Sequence, residues 1–85
     1  MDSINILIRS KYQVVFEGMA KALTSKNKKG IFDVLPLHAN FISLVEEKLI
    51  VHKENGETQD ILVRNGVLRV RENKIEIYLD VKEKS

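Results

Sequence analysis

His38 and His52 are the only side chains in this 85-residue sequence suited to act as bases near neutral pH, and no residue pattern around either completes a catalytic set. No serine lies in a nucleophile-elbow context, and no glycine-rich loop is present to cradle a phosphate. Cysteine is absent, which removes thiolate nucleophiles, thiolate metal ligands and disulfides together and favours a reducing compartment. A metal centre needs three or four converging ligands, whereas the two histidines fall on different predicted elements. The residue inventory therefore predicts a protein that is not an enzyme and holds neither cofactor nor metal.

Lys26, Lys28 and Lys29 form the one local basic cluster, in the polar run Ser25–Gly30. Three lysines in a turn can touch phosphates, but they more often form a solvated tip that keeps a hairpin soluble. The aromatics Tyr12, Phe16, Phe32, Phe41 and Tyr78 are not interleaved with arginines as a base-stacking platform requires, and the net charge is only +2. A small β-barrel nucleic-acid binder using the lysine turn is thus the second-ranked reading, and no nucleic acid is expected as partner.

The elements that must carry these residues read as short strands rich in Ile, Val and Leu, separated by turn residues every eight to twelve positions. Nothing marks a linker, a repeat or a second domain, so residues 1–85 read as one unit with a fraying end at Lys82–Ser85. A chain of this size buries only about 60–65% of its unfolded surface, and a partner can matter for its stability. The start lacks a secretory signal and no apolar run approaches the roughly 18–20 residues that span a bilayer, so the chain reads as cytosolic and soluble.

A two-residue turn at Glu72–Asn73 pairs Val70 with Ile75, Arg69 with Glu76 and Leu68 with Ile77. Apolar residues then meet on one face and opposite charges on the other, as a correct antiparallel register requires. Asn55–Gly56 signals a second hairpin between Leu49–Lys53 and Thr58–Val63; a tight turn there sets Glu54 against Glu57, so a slightly longer loop is also consistent. Upstream, Ile4–Arg9, Gln13–Gly18 and Met19–Ser25 read as three strands, with Gly18 a kink or bulge. The spacing of Phe41, Leu44, Val45 and Leu49 admits a helix over Leu37–Leu49, but Pro36 and the β-branched neighbours favour extended chain. Pro36 cannot donate to a ladder, so it closes a strand Ile31–Leu35 and projects Leu37 and His38 onto a loop. His52 reads as a half-exposed strand residue.

One contrast points beyond the chain. Residues 68–79 alternate apolar and polar, yet Leu49-Ile50-Val51, Ile61-Leu62-Val63 and the run Phe41-Ile42 with Leu44-Val45 are apolar on both faces. Either a second sheet wraps around to bury the extra face, or a partner protein does.

The segment Gly30-Ile31-Phe32-Asp33-Val34-Leu35-Pro36-Leu37-His38-Ala39, with Val14-Phe16-Glu17-Gly18 before it and Asn65-Gly66-Val67-Leu68-Arg69-Val70 and Asn73-Lys74-Ile75 after it, resembles the epsilon subunit of F-type ATP synthases, called delta in mitochondria. The match runs from about Ile4 to Val81. The resemblance implies an all-β fold, a small sandwich of about ten short antiparallel strands. It implies a domain at the foot of the central stalk that binds the gamma subunit and the polar loops of the c-ring, turns with the rotor and does no chemistry itself. Such a domain is peripheral to the cytoplasmic face of the membrane through its complex. On this reading the interface comprises Lys28, Lys29, Gly30, Ile31 and Phe32 at the turn and Pro36, His38, Ala39, Asn40, Phe41 and Ile42 at the loop, with His38 in the position of the family's histidine near the gamma contact.

Where many family members carry an acidic residue after the glycine and a second glycine after the aromatic, this sequence has Ile31 and Asp33. The family usually continues into an inhibitory C-terminal helical hairpin; here the sequence stops at Ser85, which suits a naturally short member or the N-terminal domain of a longer chain. Both imply no inhibition by the hairpin and no ATP binding. A free-standing sandwich interaction domain is the remaining alternative.

Overall fold

The alternating segment at the end of the chain folds as its pattern requires. In a computed structural model, which describes residues 3–36 and 40–79, Val70 pairs with Ile75, Arg69 with Glu76 and Leu68 with Ile77. Leu68, Val70, Ile75 and Ile77 point inward and are buried, while Arg69 and Arg71 face out. The turn residue Glu72 takes a left-handed backbone (φ 56°), and its N–H donates to Asn40 Oδ1 at 3.0 Å.

The described residues form six strands: β1 Ile4–Arg9, β2 Val14–Asn27, β3 Gly30–Val34, β4 Phe41–Lys53, β5 Thr58–Arg71 and β6 Lys74–Leu79. They make one sheet of order β1-β6-β5-β4-β2-β3 that closes on itself because β1 also pairs with β2. The result is an all-β sandwich in which both edges of β1 are bonded, antiparallel to β2 and parallel to β6. Closure pairs both edges of β1 and leaves the five-residue β3, bonded only to β2, as a short edge strand. Ile4, Ile6, Ile8, Leu23, Leu49, Val51 and Leu68 meet inside with no exposure.

Three expectations change. The strands are fewer and longer than about ten, and the β1–β6 ladder is parallel rather than antiparallel. Gln13–Gly18 and Met19–Ser25 are halves of the single strand β2, since Gly18 stays in the ladder opposite Ile6. The irregularities fall instead at Val15, where Ile8 faces Phe16 but Arg9 faces Val14, and at Lys21 on the other edge. Two bulges let a long strand bend from one layer to the other without a turn, and bulges carry no residue signature of their own. From Phe41 onward the extended alternative holds, as β4.

At Asn55–Gly56 the longer loop wins. Lys53 N–H donates to Glu57 O at 2.8 Å, leaving Glu54, Asn55 and Gly56 as a three-residue loop whose glycine sits at φ 93°. A left-handed third residue is what such a loop needs to rejoin the strand. The β1–β2 turn is held by Ser10, whose buried Oγ accepts from the N–H groups of Tyr12 (3.1 Å) and Gln13 (3.2 Å).

Candidate docking surface

The β2–β3 hairpin closes with Asn27 opposite Gly30, so Lys28 and Lys29 form a two-residue tip and both are exposed. Asn27 shapes the tip: its Oδ1 accepts from the Lys29 N–H at 2.8 Å, and its Nδ2 donates to Ser43 Oγ at 3.2 Å, tying the tip to β4. Period-two alternation on β3 then separates the next two candidates. Ile31 points to solvent with 77% of its surface exposed, whereas Phe32 packs on the core and meets Phe41 edge to face.

Pro36 stands in a bend two residues beyond the end of β3. Leu37, His38 and Ala39 lie outside the described residues. Asn40 resumes the chain by bonding the β5–β6 turn, and Phe41 opens β4 with its ring turned toward Phe32. Ile42 faces outward, 68% exposed. The expected interface therefore divides between Phe32, packed on the core, the partly exposed Phe41 ring that meets it, and an outward set of Lys28, Lys29, Ile31 and Ile42.

Sequence reasoning marked Ile42 and Leu44 as part of a run apolar on both faces but missed the residues on β5 and β6 that extend their surface. The ladders place Leu44 opposite Val67 and Val67 opposite Tyr78, and all three are exposed, so an apolar row crosses the outer wall of β4, β5 and β6 with Ile42 alongside. A cleft of about 450 Å³ runs along this row, bounded by Lys28, Leu44, Glu46, Asn65, Val67 and Tyr78. Part of the signal was present: Ile42 and Leu44 are two apart on β4, and Val67 and Tyr78 are apolar residues at outward positions beside the polar Arg69, Arg71 and Lys74. Leu62, on β5 beyond the row, is 82% exposed, so the second apolar face of residues 61–63 is left uncovered by the described residues.

The charges beside this surface are unequally satisfied. Lys26 Nζ contacts Glu47 Oε1 at 2.8 Å, and this hydrogen bond, outweighing desolvation, raises the lysine above its ordinary pKa. Asp33 Oδ1 accepts from Thr24 Oγ1 at 2.6 Å, and the same hydroxyl lies 2.7 Å from His52 Nε2. A carboxylate can only accept, so the single hydroxyl proton goes to Asp33 and His52 donates through Nε2. That relay uses the hydroxyl proton structurally and leaves Thr24 without a base. Among the described residues no three metal-ligating side chains cluster, and no helix is long and apolar enough to cross a membrane.

Fold and surface together define a class: a small closed β-sandwich with an apolar outer wall. A family model described as the ATP synthase delta/epsilon chain beta-sandwich domain matches residues 3–85, and the chain belongs to that family. It is 31% identical over 75 residues to an ATP synthase epsilon chain of Nitratiruptor, covering 87% of this chain and 58% of that one. It is 30% identical over 81 residues to an ATP synthase epsilon chain of Sulfurovum, covering 94% and 63% respectively. The chain thus spans about three-fifths of the length of these relatives. In fold it resembles a chain of the Euglena gracilis mitochondrial ATP synthase (TM-score 0.86, 17% identity, 93% of this chain and 51% of that one). It likewise resembles a chain of the Tetrahymena thermophila mitochondrial ATP synthase central stalk and c-ring (TM-score 0.71, 13% identity, 91% and 63%).

Proposed function

We propose that this chain is the sandwich domain of a non-catalytic rotor subunit in the central stalk of an F-type ATP synthase, clamping the gamma subunit to the c-ring so that ion flow and ATP turnover stay coupled. The observation that carries the reading is the outward row Leu44–Val67–Tyr78 with Ile42. An apolar strip across three bonded strands resists shear, because displacing one residue means breaking ladder hydrogen bonds on both sides of it. A connector that transmits torque needs that stiffness. Gamma packs on the apolar row, and the hairpin tip with Lys28, Lys29, Gly30 and Ile31 meets the c-ring loops. Pro36, His38, Ala39 and Asn40, with Phe41 and Ile42 at the start of β4, contribute to the gamma contact. The subunit is peripheral to the cytoplasmic face of the membrane through the complex, and its activity is assembly and coupling.

The test is co-expression of this chain with the gamma subunit of the same genome, followed by size exclusion. A one-to-one complex is the expected result. Separate elution of a folded monomer would overturn the reading in favour of a free-standing sandwich domain that shares only the fold.

A further inference from the structure

We infer that two copies of this chain pair through the free edge of β3, as a two-fold antiparallel ladder centred on Phe32. Among the described residues β3 bonds only β2, so its other edge is open. Asn27 and Gly30 flank a two-residue turn and therefore form a hydrogen-bonded pair. Alternation then commits Phe32 and Val34 to β2 and turns the N–H and C=O groups of Ile31 and Asp33 outward. Gly30–Val34 holds neither proline nor lysine, the residues that commonly block such an edge, and Ile31 stands on it 77% exposed.

The side chains select one register among those with two-fold symmetry. Centring on Ile31 would draw the Lys29 N–H into the ladder, but that group already donates to Asn27 Oδ1 at 2.8 Å. Centring on Asp33 would set two carboxylates directly opposite each other, which is unfavourable. Centring on Phe32 places Ile31 opposite Asp33 of the second copy and Asp33 opposite its Ile31, so every outward backbone group finds a partner. Lys29, exposed and in no ion pair among the described residues, then falls diagonally beside Asp33 of the second copy at both ends of the ladder. Thr24 Oγ1 donates to each Asp33 at 2.6 Å, which draws the carboxylate toward β2 and away from its symmetry mate while leaving its charge intact for the lysine. Because β2 occupies the far edge of β3, the ladder is closed at two copies.

Sedimentation equilibrium of the full chain over a wide concentration range, paired with amide hydrogen exchange read by NMR, tests the inference. The expected result is a reversible monomer–dimer equilibrium in which the Ile31 and Asp33 amides gain protection as concentration rises. D33K, which sets like charges together at both ends, is expected to weaken association about ten-fold, and the charge swap K29D/D33K to restore it. A monomer at every concentration overturns the inference. So does a dimer that D33K leaves unchanged, one that the charge swap fails to restore, or one in which the Ile31 and Asp33 amides stay open to exchange.

Discussion

Phe32 and Phe41 meet edge to face, ring centroids 6.4 Å apart and planes inclined by 67°, across the connection between β3 and β4. The pair joins a five-residue strand bonded only to β2 with the start of the longest ladder in the fold, and so fixes where the hairpin tip stands relative to the apolar row. Aromatic pairs in this geometry contribute about 0.5–1.5 kcal/mol beyond area burial. A double-mutant cycle of Phe32→Leu and Phe41→Leu in urea denaturation is expected to show a coupling energy of about 1 kcal/mol. A coupling indistinguishable from zero would mean that the rings are neighbours without being a brace.

Gly66 sits in the interior of β5 for a steric reason. A Cβ placed there would lie 2.7 Å from the Tyr78 backbone oxygen and 3.3 Å from Leu79 Cδ2. Since the nearest atom is backbone, the β5–β6 ladder itself must shift. Gly66→Ala is expected to cost roughly 1–3 kcal/mol, read as a lowered thermal midpoint. A raised midpoint, which the gain in strand propensity alone would produce, would refute the close approach.

Ser25 is almost fully buried, and its hydroxyl finds no partner among the described residues. An orphaned buried hydroxyl carries a desolvation cost, so Ser25→Ala is expected to stabilise the fold by about 1 kcal/mol, or roughly 4–8 °C in a domain of this size. A loss of stability would show that the hydroxyl is bonded in solution, to water for instance.

Leu44 is the row residue whose removal best separates docking from folding, because it is 67% exposed. Leu44→Asp is expected to leave the urea midpoint within about 0.5 kcal/mol of the parent. It should weaken gamma binding by about 30-fold, the factor that matches a 2 kcal/mol anchor. Full retention of binding would move the gamma contact off this wall.

The Lys26–Glu47 pair predicts a specific alkaline response. Its hydrogen bond raises the lysine pKa in the folded state above the ordinary 10.5. A raised folded pKa contributes stability that is fully present below the unfolded value and lost as pH climbs through the folded one. Stability should therefore fall more steeply above about pH 10.5 in the parent than in Glu47→Gln, with no difference in slope near neutrality. Parallel curves through the alkaline range would show the pair to be absent in solution.

Much of the framework was legible because it depends on neighbours in sequence. The register of 68–79 followed from alternation alone, since a slip of one residue would turn Leu68, Val70, Ile75 and Ile77 out to water. The motif around Gly30 and Pro36 carried the family, and the uncovered second face of residues 41–45 was visible as a run apolar on both sides. The lysine turn, too, could be read as an exposed tip.

What the sequence could not state was which strands lie side by side. β2 is one bent strand because two bulges accommodate the bend, and β1 runs parallel to β6 because closure brings together segments from opposite ends of the chain. Leu44 stood out in sequence only as part of its own run, and Val67 and Tyr78 did not stand out at all. They become one surface only when β4, β5 and β6 are aligned in register, because a cross-strand row is made of residues distant along the chain. Local pattern determines which way each side chain points; the ladders alone decide what it stands next to.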